Sequence, residues 1–220
     1  MAHTMFQREF GLMPALVRGV DPGDQERRRT VAEHIEIVTA PFLKHLHAGD
    51  TYLMPKLLQR ARPQQHEMIR TAAGHLTQME TVTSDLLAVL GEWRLNGTSG
   101  HRLADFLDDL VARVKVHADL MEEHLIPLFD EHITTTEWVE MIGTEAAGMP
   151  TRIMPVSFGM MMYEADPALI DGMFAGMPAD VRLVLKEVAS KAFAAHSTTV
   201  HGTAAPPRAR AGDQGARRAE

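Results

Sequence analysis

The sequence predicts an all-α protein built around four long amphipathic helices. Apolar residues recur at spacings of three and four through four long stretches, the periodicity of a helix with one buried face. Segments containing Gly and Pro separate these stretches and are typical of loops. No stretch shows the strict alternation that predicts a half-buried strand. Short loops between long helices favour an up-down-up-down four-helix bundle, with additional C-terminal helices.

The four bundle helices follow one another from the N-terminus. The first is predicted over residues 3–19 and the second over residues 25–61, each with one apolar stripe. Pro41 is expected to kink the second, because proline lacks a backbone donor and crowds the preceding turn. The loop LNGTSG then separates a third helix over residues 64–95 from a fourth over residues 101–132.

The C-terminal part predicts shorter helices. One helix begins within ITTTEW, and a hinge rich in Gly and Pro covers residues 148–155. Two more are predicted over residues 167–175 and 179–199, because Pro is favoured at the first helical position. The chain is therefore divided into a bundle over residues 1–142, a helical extension over residues 143–203 and a disordered tail over residues 204–220.

Composition excludes several classes of function. The 220 residues include no cysteine, which removes thiolate metal sites, iron–sulfur clusters and cysteine nucleophiles. A net charge of −7 argues against a general nucleic-acid binder. Arg8 and Glu9 stand where a signal peptide needs its apolar core, and no apolar stretch is long enough to span a bilayer. We expect a cytoplasmic protein that binds neither nucleic acid nor membrane.

Two similar blocks carry the candidate chemistry, LKHLHAGDTYLMPKLL and KVHADLMEEHLIPLF. Each places a histidine ten residues before a proline, His45 before Pro55 and His117 before Pro127. If the helices are antiparallel, one histidine from each reaches the same end of the bundle. Facing side chains in a bundle core are a recurrent way to build metal sites. The four candidate ligands are His3, His45, His75 and His117.

The order and spacing of four phrases resemble the hemerythrin-like, HHE-type cation-binding family. These phrases are HTMFQREFGLMPALVRGV, VAEHIEIVTAPFLKHLHAGDTYLMPKLLQR, GHLTQMETVTSDLLAVLGEW and HADLMEEHLIPLFDEHITTTEW. The resemblance covers about residues 3–142, and the region to about residue 203 is similar to an extension in actinobacterial-type members. It implies a core that holds one or two non-heme irons and reacts with dioxygen, peroxide or nitric oxide. It also implies that the four histidines are ligands.

The chain departs from the family pattern where the resemblance places metal-bridging glutamates. Four residues after His45 and His117 stand Gly49 and Met121, and four residues after His75, where some members have another histidine, stands Met79. Four neutral imidazoles neutralise the charge of two cations poorly, whereas oxygen ligands suit Fe(II) and Mn.

Neighbouring acids could replace the missing glutamates. Asp50 and Glu122 each lie five residues after a histidine, about 140° around an ideal helix from it, so they need a change of helical register to enter the core. A one-residue slip at Gly49 would present His47 and Asp50 as the pair.

Three interpretations remain open. The first is a metal site with reduced or shifted ligands that binds iron and dioxygen. The second is an apolar pocket for a small organic ligand, with histidines as acid/base groups. The third is a structural bundle with a vestigial site. Possible pocket-lining residues are Gly49, Met79, Met121, His34, His47 and His124.

Overall fold

The computed structural model describes residues 2–146, 148–175 and 178–209, and these residues are almost entirely helical. No β-strand occurs within these ranges. The predicted all-α class with additional C-terminal helices is confirmed. The chain forms two compact units, one from Met1–Val38 with Pro150–Glu220 and one from Thr39–Met149. The predicted division into residues 1–142, 143–203 and 204–220 stays a prediction.

The first unit combines the N-terminal helices with the C-terminal ones. It contains α1 (Ala2–Arg18), the part of α2 (Gln25–Ala48) up to Val38, α8 (Met154–Glu164), α9 (Pro167–Met173) and α10 (Ala179–His201). Helix α8 packs along α10 and also contacts α1. Asp166 caps α9 by accepting a hydrogen bond from the backbone N–H of Ala168 at 2.8 Å. The core of this unit is apolar and includes Phe6, Phe10, Met13, Val31, Ile35, Met160, Phe193 and Val200.

The second unit contains the end of α2 and five further helices. These are α3 (Met54–Arg60), α4 (His66–Asn96), α5 (Gly100–Leu120), α6 (Ile126–His132) and α7 (Thr135–Ala146). Helices α4 and α5 pack along each other. Gly97 ends α4 in the left-handed conformation, with φ of 76°, which glycine adopts without steric cost.

The two similar sequence blocks also share a structural feature, a π-helical turn. One covers Gly49–Leu53 between α2 and α3, and the other covers Met121–Leu125 between α5 and α6. Each is followed by a proline at the second position of the next helix. Proline crowds the carbonyl four residues earlier, and a wider turn relieves that crowding. The change of register that the sequence suggested at Gly49 is therefore present in both blocks.

The first residues after α10 lie against the first unit. Ser197 Oγ donates to the carbonyl of Thr203 at 2.8 Å, and the Tyr163 hydroxyl donates to the carbonyl of Pro206 at 2.8 Å. The Arg208 guanidinium lies over the Tyr163 ring at 4.6 Å. Residues 210–220 of the predicted disordered tail lie outside the described residues. In the described ranges, no helix combines the length and apolar character of a membrane span.

Gly159 marks the closest approach of α8 to α10, and its replacement tests that packing. A Cβ there would lie 2.3 Å from the Ala189 carbonyl oxygen and 2.5 Å from Phe193 Cβ. We expect Gly159→Ala to lower the free energy of unfolding by about 1–3 kcal/mol in urea titrations, because the backbone has to move. Gly11→Ala in α1 is the control, since nothing lies within 4 Å of its Cβ. It should be neutral or stabilising by up to about 1 kcal/mol, and equal effects of the two variants would contradict the packing.

Glu137 connects the start of α7 to α3. Its carboxylate accepts hydrogen bonds from Arg60 at 2.8 and 2.9 Å and from Lys56 at 2.8 Å. The Thr134 backbone N–H also donates to it, and the Glu137 N–H donates to Thr134 Oγ1, which forms a capping box. Arg60 and Lys56 hold the pKa of Glu137 well below its usual range.

The lowered pKa of Glu137 predicts a pH-dependent contribution to stability. A carboxyl group with a lowered folded-state pKa stabilises the fold above its ordinary pKa of about 4.3, and the stabilisation is lost as pH falls towards the folded value. Glu137→Gln should therefore lower Tm at pH 7, and the difference from the wild type should narrow only below about pH 4. Exposed Glu80→Gln is the control and should leave Tm unchanged at both pH values. A constant Tm difference from pH 7 to pH 2 would show that the ion pairs are not its source.

Candidate metal centre

Three of the four predicted histidines lie in the second unit, on three different helices. His45 is in the last turn of α2, His75 is in α4, and His117 is in the last turn of α5. The His75 and His117 ring centroids are 5.9 Å apart, with the rings at 72° to each other. His117 is buried, and His45 and His75 are half-buried. We call these three residues the imidazole cluster.

Electrostatics keep the most buried ring of the imidazole cluster neutral. Burial, together with the neighbouring His75 and His45, lowers the pKa of His117 to about 4. His117 is therefore neutral at pH 7, the form in which imidazole binds a metal. His75 Nδ1 is also buried, and in the part of the chain that the structure describes it has no hydrogen-bond partner. A buried ring nitrogen of this kind fits a metal ligand.

His3, the fourth predicted ligand, lies in α1 of the first unit and is half-buried. Its convergence with the imidazole cluster stays a prediction.

The positions of the expected glutamates are packed with apolar groups. A Cβ at Gly49 would lie 3.1 Å from Leu76 Cδ1, so the missing side chain lets α4 approach the π-turn. A side chain at position 49 would require Leu76 Cδ1 to move by a few tenths of an ångström. Met79 and Met121 are both buried, at 1% and 7% exposure. The space that the pocket hypothesis assigns to a ligand at Gly49 is therefore occupied by Leu76.

The π-turns leave the neighbouring acids away from the buried face. Within them, Gly49 with Leu53 and Met121 with Leu125 are the buried pairs. Asp50 is half-buried, whereas Glu122 is exposed. The residues four and eight positions after each histidine therefore stay buried. The change of register does not bring Glu122 into the core.

His47 and His124, two suggested pocket residues, are exposed. On a regular α-helix, His124 would share a face with His117, seven residues earlier. The side chain of His124 is instead 45% exposed, because it lies within the π-turn, which rotates it away from that face.

His34 belongs to a different group of polar residues, in the first unit. We call Glu9, His34 and His201 the triad. One ligand atom from each lies within 4.8 Å of the others, and the described residues include no other such group of three or more. His34 is fully buried, Glu9 is 1% exposed, and His201 is half-buried at the end of α10. His34 Nε2 lies 3.5 Å from Glu9 Oε2.

Two further residues hold the triad in place. His34 Nδ1 is hydrogen-bonded to His196 Nε2 at 3.0 Å. Arg8 donates to Glu9 Oε1, and its Nη1 lies 3.3 Å from Oε1 of Glu164 in α8. The Arg8 guanidinium lies 5.0 Å from the ring centroids of both Tyr163 and Phe193.

Burial governs the protonation of the triad. It lowers the pKa of His34 well below its usual range, with His196 and His201 contributing, and it lowers the pKa of His201 to about 4. Both imidazoles are therefore neutral at pH 7. Burial also raises the pKa of Glu9, and Arg8 opposes that rise.

The sequence does not predict the triad, because its three members lie far apart in the chain and share no motif. His196 and His201 are both half-buried in the last turns of α10. Glu9 was considered only as a charge that argues against a signal peptide. The sequence offers one indication of the triad, because Arg8 and Glu9 lie between Phe6 and Phe10, inside the apolar stripe of α1.

The geometry defines an all-α protein whose helices bring together His75 with His117 and, separately, Glu9 with His34 and His201, and side chains of these types can bind metal cations. The sequence model of the hemerythrin HHE cation binding domain matches residues 1–129, more than half of the chain. The chain belongs to this family, as the resemblance predicted. No curated protein and no solved structure matches the chain. The narrower similarity to actinobacterial-type members stays a prediction.

Chemical modification can check these placements. We expect diethyl pyrocarbonate to modify the exposed His47 and His124 at least about tenfold faster than the buried His34 and His117, because burial excludes the reagent. Peptide mass spectrometry after timed exposure at pH 7 measures each rate, and the exposed His101 provides the reference. Equal rates at His117 and His101 would contradict the burial of the imidazole cluster.

Proposed function

We propose that the protein binds one non-heme transition-metal ion, iron in the first place, through His45, His75 and His117. The observation that carries this proposal is the proximity of His75 and His117 on two helices, with His45 of a third helix near enough to help lower the pKa of His117, all at positions where the family resemblance implies ligands. Neutral imidazole suits iron, zinc, copper and nickel. Membership of a cation-binding family supports the same conclusion.

The donor set fits a single ion rather than a pair. Two cations held close together need bridging carboxylates to offset their repulsion. The pKa of His117 is lowered by burial and by two other imidazoles. Glu122, which is exposed, does not contribute to this shift. Three imidazole nitrogens can hold one ion and leave coordination positions open, once rotation of the rings brings together ligand atoms that do not all lie within 4.8 Å of one another. The residues therefore fit a centre with one ion.

The proposed chemistry is that of dioxygen, peroxide or nitric oxide, as reactant or as sensed ligand. A bound iron would supply an open position for such a molecule. The chain's own contribution is to hold imidazoles on separate helices and to surround them with apolar side chains. The buried Met79 and Met121 each lie one helical turn after a ligand and limit the access of water.

The apolar-pocket interpretation receives no comparable support. Leu76 fills the space beside Gly49. The exposed His47 and His124 are unsuited to lining a closed pocket. The interpretation as a structural bundle with a vestigial site predicts a protein without bound metal, whereas the metal-centre proposal predicts bound metal.

Removal of two imidazoles tests the metal centre. We expect His45→Ala/His117→Ala to bind one equivalent of metal fewer than the wild type after iron-replete expression, with helicity retained, because the cluster is left with one ligand. Metal analysis and circular dichroism measure the two quantities.

His47→Ala/His124→Ala is the matched control, since both residues lie beside the same π-turns but are exposed. It should keep the metal. Equal metal content in the two double variants, or less than about a tenth of an equivalent in the wild type, would overturn the proposal.

A further inference from the structure

We propose that Glu9, His34 and His201 form a second metal site, which binds one divalent first-row cation and is best matched to Fe(II). Two imidazoles and one carboxylate on one side of an ion, with the remaining positions open, are the donor set of many non-heme Fe(II) centres. This site lies in the first unit, and it does not depend on the imidazole cluster.

The distances suit a shared ion. Two ligand atoms about 2.1 Å from one metal lie about 3.0 Å apart at the 90° angle of a facial Fe(II) set, and about 3.4 Å apart at a tetrahedral angle. His34 Nε2 and Glu9 Oε2 are 3.5 Å apart. All three ligand atoms lie within 4.8 Å of one another, and His201 stands at the half-buried end of α10, where its ring can rotate towards the other two.

Two buried atoms face each other without a hydrogen bond. In the part of the chain described, neither Glu9 Oε2 nor His34 Nε2 has a hydrogen-bond partner. The other atom of each group is engaged, because Arg8 donates to Glu9 Oε1 and His34 Nδ1 bonds to His196. When Nδ1 donates to His196, Nε2 presents a lone pair to the carboxylate, and a cation between the two relieves the repulsion.

The surrounding charges also favour a cation. One guanidinium, Arg8, faces two carboxyl groups, Glu9 and Glu164, and all three side chains are 1% exposed. With both carboxyl groups ionised, this buried group carries an excess negative charge, which is costly unless it is paired. A bound divalent cation offsets this charge.

An ion-pair network without metal accounts for part of this arrangement. It explains why Arg8 is buried against two aromatic rings and why it meets Glu164. In the tautomer with the proton on His34 Nε2, that nitrogen would point its N–H at Glu9, but 3.5 Å is long for such a hydrogen bond. The network also does not explain why a second histidine ring lies 5.4 Å from His34, centroid to centroid.

The C-terminal helix completes the site. His201 lies beyond residue 129, where the match to the family domain ends. The end of α10 is fixed by Arg27, which donates to the carbonyls of Thr199 at 3.1 Å and Val200 at 2.6 Å. Two ligands thus come from the family domain and the third from the segment that follows it.

Cobalt(II) titration of the full-length protein tests the second site. Visible absorption reports the geometry of each bound ion, and equilibrium dialysis reports stoichiometry and affinity. We expect His201→Ala to weaken the binding of one Co(II) ion by at least about tenfold, because a direct ligand is lost. Glu9→Gln should do the same, but it also disturbs Arg8. His201→Ala is the decisive test of metal binding by the triad, because a half-buried ring at a helix end can be removed with little effect on folding.

Controls separate this site from the imidazole cluster. His101→Ala removes an exposed histidine at the start of α5 and should bind Co(II) like the wild type. His45→Ala/His117→Ala should keep the His201-dependent ion, and adding His201→Ala to it should remove that ion. Identical Co(II) stoichiometry, affinity and spectrum in wild type and His201→Ala would overturn the second site, whatever the imidazole cluster binds.

Discussion

The constraint on which this structure depends is the cost of placing ionisable groups inside a helical core. A buried charge has to be paired, neutralised or bound to an ion. In the first unit, Arg8 meets Glu9 and Glu164 and lies against two aromatic rings, so one network holds α1 to α8 and α10. In the second unit, the imidazoles satisfy the constraint differently: His117 stays neutral at pH 7.

The helices were predictable because amphipathic periodicity is a local property of the sequence. The proximity of His75 and His117 was also predictable, since alternating helix directions place them on neighbouring helices. The π-turns were only suggested, because they depend on a proline acting together with close packing, such as that of Leu76 on Gly49. The triad could not be predicted, because it depends on where α10 packs, and His201 carries no sign of that position.

The two clusters differ in charge, and this difference bears on what each can bind. The imidazole cluster supplies nitrogen from three rings, and Leu76 packs against Gly49, where the family resemblance places a carboxylate. The triad supplies two nitrogens and an oxygen from Glu9, beside a second carboxyl group and an arginine. Oxygen ligands favour hard divalent ions, and imidazole alone discriminates little among first-row metals. The chain thus places an all-nitrogen donor set in one unit and a donor set that includes a carboxylate in the other.

This arrangement changes the role of the segment beyond the family domain. Glu164, His196 and His201 all follow residue 129, yet each contacts a buried polar group of α1 or α2. Without them, Arg8 would lose one of its two carboxyl partners and His34 would lose the hydrogen bond at Nδ1. A lost partner for a buried polar group costs about 1–3 kcal/mol, and more when the group is charged. The C-terminal helices therefore belong to the electrostatic core of the first unit, and the polar residues of α1 and α2 are explained only together with them.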